Sequence, residues 1–413
     1  MSRSFSALAF AALLPFAQAV AQPSLIVPPT PIPAVQQDRT VMLVVGGSIG
    51  WDSNPLRISK ADNPVTLTGS SDPSDTIATA TIGLSFDKSF SQQRFVGWLS
   101  ETAYRYDKFK YLDFDGTDYR AAWLGQLGSR ISTRLAIDQN QSLVNYADFQ
   151  ITNEQNVVTT RNQIFTVNGL LGAGWSVQAK ALGYELKNSA AFAENPSNRS
   201  LGGEAGVRYD SSPGRWLALD VRAMRGDYVN QPINPVTFTD DGYVRTDTAL
   251  TSGWSLTAKS SLGLRLGFVD YVSNTFSQRD FSGVAGHATF NWRPVTKLAL
   301  DFTVRRDLNP WTADYASYRV DDTAAITLTW DPTAKIQVRA AYAYVDTDFL
   351  QPIPTYVGDL RRDFFHGLRL AADWKPLRNL TITLGGQREY RNSTFPTGQY
   401  DATGIRLSAA LQI

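Results

Sequence analysis

Cysteine is absent from the 413 residues, so neither a disulfide framework nor thiolate chemistry is available. Histidine is nearly absent, with His287 and His366 the two present. A serine hydrolase needs a histidine placed between its nucleophile and an orienting acid or amide. Neither histidine has a nucleophile motif beside it, and the G-x-S-x-G match Gly46–Gly50 lies inside the first strand-like run rather than at a strand-to-helix turn, so no enzymatic activity is expected. Downstream of the N-terminus no run approaches 18 consecutive apolar residues, which excludes a transmembrane helix. Charge of one sign is not in excess either. A formal net charge of +1 gives no electrostatic case for a nucleic-acid partner. The acidic clusters Asp113-Phe114-Asp115 and Asp240-Asp241-Gly242 complete no calcium-loop pattern, so neither a metal nor another cofactor is expected.

What the chain does contain is alternation. In Gln278–Leu308, Val284, Gly286, Ala288, Phe290 and Trp292 fall on one face of a strand and Ala285, His287, Thr289 and Asn291 on the other. After a turn placed at Pro294–Thr296, Leu298, Leu300, Phe302 and Val304 oppose Ala299, Asp301, Thr303 and Arg305 in the same way. A period of two sends successive side chains to opposite sides of a pleated sheet. One apolar side with aromatic ends and one small, polar or charged side suit a wall between lipid and water.

From Val41 onward the pattern recurs in about eighteen runs of roughly 9–13 residues, the length of a tilted membrane-crossing strand. The connections between them alternate strictly, eight short and nine long and polar. The chain therefore reads as all-β, a transmembrane antiparallel up-and-down barrel of about eighteen strands (sixteen being the alternative count). Its turns would be short on the periplasmic side and its loops long on the extracellular side. Trp123, Trp292, Trp330 and Trp374 fall near short-turn ends on the apolar face, as an interfacial aromatic girdle would. The last strand alternates correctly but ends on Ile413, where outer-membrane barrels commonly carry an aromatic residue.

Ahead of the barrel, Arg3 precedes an apolar stretch, Phe5–Phe16, and an A-x-A site. This predicts a secretory signal over residues 1–21, cleaved after Ala21. Five prolines between Gln22 and Arg39 predict an extended periplasmic leader, leaving 40–413 as the barrel.

Alternation also nominates the residues that line the lumen. The acids are Asp138, Glu204, Asp220, Asp301 and Asp373, and His287 joins them. The arginines are Arg120, Arg134, Arg208, Arg222, Arg265, Arg305, Arg339, Arg369 and Arg406. Such a wall can pair its own charges across neighbouring strands or grip an anionic or hydroxyl-rich chain in passage. One long hairpin is crowded with aromatics. Tyr104, Tyr106, Phe109 and Tyr111 offer faces for stacking on sugar rings, or an outer girdle.

Several segments carry a resemblance. SQQRF (91–95), YRYDKFKYLDFDGTDYRAAWLGQLGSRIS (104–132), DQNQSLVNYADF (138–149), residues 278–308 and DWKPLRNLTIT (373–383) resemble the EpsL-type exopolysaccharide outer-membrane barrels, and Asp52-Ser53-Asn54 fits the same pattern. The resemblance spans about 40–413. It implies a porin-like barrel in the Gram-negative outer membrane, with lipid around it, a secreted polysaccharide inside it, and periplasmic or inner-membrane synthesis and export proteins as partners. That family carries no catalytic motif. Two alternatives share the barrel: a passive porin, general or sugar-selective, and a surface-acting enzyme or adhesin.

Overall fold

The computed structural model describes residues 40–148, 154–190, 196–229, 231–313 and 315–413. The expected signal and leader lie outside the described residues. Eighteen strands form one sheet: β1 (Val41–Asp52), β2 (Asp75–Phe90), β3 (Gln93–Tyr106), β4 (Phe114–Leu127), β5 (Ile131–Leu143), β6 (Val157–Gly172), β7 (Trp175–Asn188), β8 (Asn198–Ser212), β9 (Arg215–Tyr228), β10 (Gly242–Thr257), β11 (Ser260–Ser273), β12 (Phe281–Val295), β13 (Leu298–Pro310), β14 (Tyr318–Thr333), β15 (Ile336–Leu350), β16 (Arg362–Leu377), β17 (Leu380–Ser393) and β18 (Tyr400–Gln412). Each pairs antiparallel with its sequence neighbours, and β18 pairs with β1 to close the barrel. Leu43 and Ile413 complete the seam by exchanging two backbone hydrogen bonds, 3.0 and 2.8 Å. One short helix, α1 (Pro64–Thr68), sits in the β1–β2 connection, capped by the Asn63 side chain and ended by Gly69 at φ 75°.

The connections alternate as their lengths predict. Most short ones are two-residue turns, and Ala173-Gly174 has φ of 50° and 83°, which matches the right-handed twist of the flanking strands. The strands, at 12 to 16 residues, are longer than the sequence pattern suggests. Their extra residues lie largely at the long-loop ends, where polar side chains replace the apolar alternation but the ladder continues. The β12–β13 turn falls at Thr296-Lys297, and the expected turn at Pro294 is instead a register shift between Trp292 and Val295.

Directly opposed residues share a face, so one assignment propagates round the barrel. The outer face of β11 reads Leu262, Leu264, Leu266 and Phe268; that of β17 reads Leu380, Ile382 and Leu384. Charged outward residues begin eight to eleven positions above the short-turn ends of their strands: Glu101, Arg161, Glu185, Arg225, Asp270, Arg306, Asp346 and Arg388. Several of them pair along this ring, as Arg161–Glu185 (2.9 Å) and Arg306–Asp322 (2.8 Å) do. Eight to eleven residues of a tilted strand make an apolar belt roughly 20–28 Å tall, close to the band such barrels present to lipid. Trp175, Trp254, Trp292, Trp330 and Trp374 stand outward and exposed at its short-turn edge. His366 also faces outward, at the upper edge of the belt, with its Nδ1 2.8 Å from Tyr342 Oη.

Leu266 is 64% exposed at the centre of this belt. Leu266→Lys is expected to lower the unfolding free energy by ~2–4 kcal/mol in lipid vesicles, because a lysine there must leave water for hydrocarbon. Thr289→Lys, on the inner face, is expected to cost under ~1 kcal/mol. Urea titrations of both refolded variants check the assignment of faces.

Candidate functional site: lumen wall and mouth

The inner face below the long loops is a wall of paired and unpaired charge. Arg339 makes two hydrogen bonds to Asp373 (3.0 and 2.9 Å), and Thr383 donates a third to the same carboxylate. Lys180 meets Glu204 at 2.6 Å, Arg222 and Arg245 both meet Asp247 at 3.0 Å, and Arg305 pairs with Asp307. Arg208 bonds Asp210 and lies over the Trp216 ring at 4.3 Å. Asp138 accepts from Asn162 (2.8 Å), Asp301 from Asn291 (2.5 Å) and Asp220 from Thr251 (3.5 Å). His287 stands in the ladder between Arg265 and Arg305, two cations, where a general base would need an orienting acid.

Four of the nominated arginines are different. Arg120, Arg134, Arg369 and Arg406 share the inward face but make no hydrogen bond or ion pair with a described residue. They stand in two groups, on β16 and β18 and on β4 and β5, with β1 to β3 between the groups. Arg120 is exposed and the other three are half-buried. Exposure on an inward face means water reaches it, as an eighteen-stranded lumen allows.

The long-loop end is built quite otherwise. The β12–β13 ladder stops at Gly286↔Arg306. Beyond it Leu308, Val320 and Tyr318, which alternation assigns to the outer face, are packed against Val269, Tyr271, Phe281 and Ala285 on the inner face of β11 and β12. The upper ends of β13 to β15 therefore lie inside the wall. Gly283 makes the approach possible, since a Cβ there would stand 2.7 Å from Leu308 Cδ2. Tyr243, Tyr271, Phe281 and Tyr318 form a stack with centroids 4.5 to 4.9 Å apart. Arg279, almost fully buried, donates to the carbonyls of Thr237, Phe238, Trp311, Ala313 and Ala316, and so ties the β9–β10 and β13–β14 connections together.

The other side of the in-folded segment presents Trp311, Phe349 and Arg319. Against it pack Leu56 and Ile58 of the β1–β2 connection, Phe109 and Leu112 of β3–β4, and Val144 and Tyr146 of β5–β6. Since β5 and β14 are nine strands apart whichever way the ring is followed, this cluster bridges the mouth along a diameter. Phe109, one of the aromatics nominated for sugar stacking, is 3% exposed within it, and Tyr106 packs on it. Tyr104 is stacked on Phe114 at 4.4 Å, while Tyr111 is exposed. The acidic clusters serve the loops: Asp113 accepts from Tyr106 N, and Asp240 from Thr275 N and Phe276 N.

Asp148 is the charge at the centre of the bridge. It comes from the β5–β6 connection and is held by arginines from the far side: Arg391 at 2.5 Å, Arg361 at 3.2 Å and Arg319 at 3.9 Å. Burial acts to raise its carboxyl, but Arg391, Arg361 and Arg319 overcome that and hold it below the ordinary carboxylate value. Asp321, Asp363 and the Tyr315 hydroxyl also face the group; burial pushes Tyr315 up to about 12, so it stays neutral. None of Asp148, Arg319, Arg361 or Arg391 carries a local sequence signal, because their partners lie across the ring. The segment Arg361–His366 is marked by its charge, but not by what it grips.

Fold and wall together define a porin-like transmembrane barrel. A family model described as "Putative beta-barrel porin 2" matches residues 246–413. Among solved structures, Pseudomonas aeruginosa OccK3 (OpdO) shares 13% identity over 90% of this chain and 95% of its own, with a TM-score of 0.46. Pseudomonas aeruginosa OpdQ shares 10% over 91% and 99%, with a TM-score of 0.48. The FrpB iron transporter of Neisseria meningitidis (F3-3 variant) shares 11% over 86% of this chain, which spans 62% of that protein, with a TM-score of 0.47. No curated protein matches.

Two outcomes test the bridge. Arg391→Ala leaves a buried carboxylate short of its nearest cation, and is expected to destabilise the bridge by ~3–5 kcal/mol, read as faster amide exchange at Val144. A carboxyl held low in the folded state stabilises fully above its unfolded value, and that stabilisation is lost as pH falls through the folded value. Bilayer conductance is therefore expected to stay flat from pH 7 to 5 and to rise only in acid below the ordinary carboxylate value of 3.8.

Proposed function

We propose that the protein is a diffusion channel of the Gram-negative outer membrane, passing small hydrophilic solutes with a preference for anions. The observation that carries this reading is the set Arg120, Arg134, Arg369 and Arg406, which make no hydrogen bond or ion pair with a described residue, with Arg120 exposed on the inward face below the bridge. A fixed cation that makes no ion pair raises the local concentration of anions and lowers their entry barrier. Paired charges such as Arg339–Asp373 shape the wall and add little net field. The apolar belt places the barrel in lipid. Cleavage after Ala21 would deliver the barrel, with its proline-rich leader, to the periplasm for insertion.

Export of an exopolysaccharide, with periplasmic or inner-membrane synthesis proteins as partners, is the second reading, supported by the resemblance in segments such as 104–132 and 278–308. It requires the bridge to stand aside for the whole transit of a polymer, whereas a small solute needs a gap beside it. The carboxylates and arginines of the wall, and exposed Tyr111 at the rim, would then touch sugar hydroxyls and rings.

Reversal potentials of the refolded protein in a planar bilayer under a KCl gradient separate the two. Anion selectivity is expected, falling by severalfold when Arg120, Arg134, Arg369 and Arg406 are all replaced by Gln. A selectivity indifferent to the four replacements would sink the anion reading. Loss of surface polysaccharide in a deletion strain, with solute uptake unchanged, would favour export.

A further inference from the structure

The three arginines around Asp148 come from separate elements. Arg319 lies on β14, Arg361 just before β16, and Arg391 on β17. All are buried to within a few per cent, and Arg391 completely. Arg391 donates through Nη1 to Asp148 Oδ1, through Nη2 to the Ala147 carbonyl and through Nε to the Gly398 carbonyl, and stands 4.8 Å over the Tyr400 ring. Arg361 is anchored by two hydrogen bonds to Asp363 (2.9 and 2.6 Å) and reaches Asp148 with the same Nη2. Arg319 is anchored least. Its Nε is 3.2 Å from Asp321 and its Nη1 3.9 Å from Asp148, but neither is aligned for a hydrogen bond.

Two features follow. Asp321 and Asp363 belong to the far side of the mouth with the arginines, so withdrawing Asp148 leaves three guanidiniums facing two carboxylates. The cage also holds unused donor capacity: Arg319 Nε lies beside Asp321 and Nη1 beside Asp148, both buried and neither making a hydrogen bond, and at 3.9 Å Asp148 falls short of Nη1. A buried guanidinium without a full set of acceptors is costly, and a better placed carboxylate would satisfy it. Asp148 is thus an imperfect ligand kept in place by its tether.

We propose that the Arg319–Arg361–Arg391 cage is a carboxylate-binding site in which Asp148 is a tethered competitor, so that a solute bearing a carboxylate takes its place and releases the bridge across the mouth. This rests on the channel reading, and names the class of solute that opens it. A tether of this kind supplies its ligand at an effective concentration in the millimolar range, so free carboxylate competes at roughly 1–100 mM. The wall arginines below then receive the same anion that freed the mouth.

The test uses the full mature chain, refolded and recorded in planar bilayers at constant KCl, with sodium propionate as probe and propionamide as its uncharged control. Wild-type conductance is expected to rise saturably with propionate and not with propionamide. Asp148→Asn is expected to start at the raised conductance and to gain nothing further, Asp148→Glu to behave as wild type, and Arg391→Gln to lose the response. Wild-type conductance unmoved by propionate overturns the proposal, as does an Asp148→Asn channel indistinguishable from wild type. If Asp148→Asn does not refold, the wild-type titration and Asp148→Glu still decide. Reversal potentials from the same bilayers report on the anion channel separately, so a failure of the latch and a failure of the channel reading are told apart.

Discussion

A backbone amide in hydrocarbon has no water to turn to, and every other property of this structure follows from satisfying that demand. A chain with no long apolar run cannot answer it with helices. It answers with a ladder that must close on itself, and the exchange between Leu43 and Ile413 at the β1–β18 seam is the last link. Closure fixes the pleat, and the pleat sorts side chains: Leu262, Leu264 and Leu266 go to lipid while Arg265 and Ser261 go to the lumen. The inner wall and the lipid belt are two readings of one alternation.

The mouth is the place where the same ladder is allowed to fail. Above Gly286↔Arg306 the wall opens, and the tops of β13 to β15 move inside, their outward-parity residues burying against the inner surface. The freed segment then needs new partners. It finds them in the aromatic stack, in the carbonyls gathered by Arg279, and in the loops arriving from the opposite side. Local loss of strand pairing is thus exchanged for contacts that span the pore.

This division explains what could be read from the sequence. Alternation is a local property, so eighteen strands, the order of short and long connections and the inward parity of residues such as Arg134 and Asp373 can be read from neighbours in the chain. Strand ends such as Asp115-Gly116 carry no apolar alternation, so they read as loop. Leu308 and Val320 show the opposite failure: their parity says lipid, and their true surroundings are the inner face of another part of the sheet. Asp148 and its three arginines are separated by some hundreds of residues, and no spacing rule connects them. Phe109 and Tyr106 read as an aromatic cluster, which is correct, but whether such rings face a ligand or each other is decided by loops whose course no periodicity encodes.

A barrel one sheet thick is, mechanically, a hoop. It resists changes in circumference, because each strand spacing is set by hydrogen bonds, but it resists flattening into an ellipse only weakly. A brace from β5–β6 to β14 crosses that hoop on its diameter, and Arg361 and Arg391 tie it to β16 and β17. While the brace holds, a force flattening the hoop along that line is carried by the Asp148 salt bridges and the apolar cluster at the long-loop rim, whereas the two- and three-residue turns of the opposite rim are too short to supply such a strut.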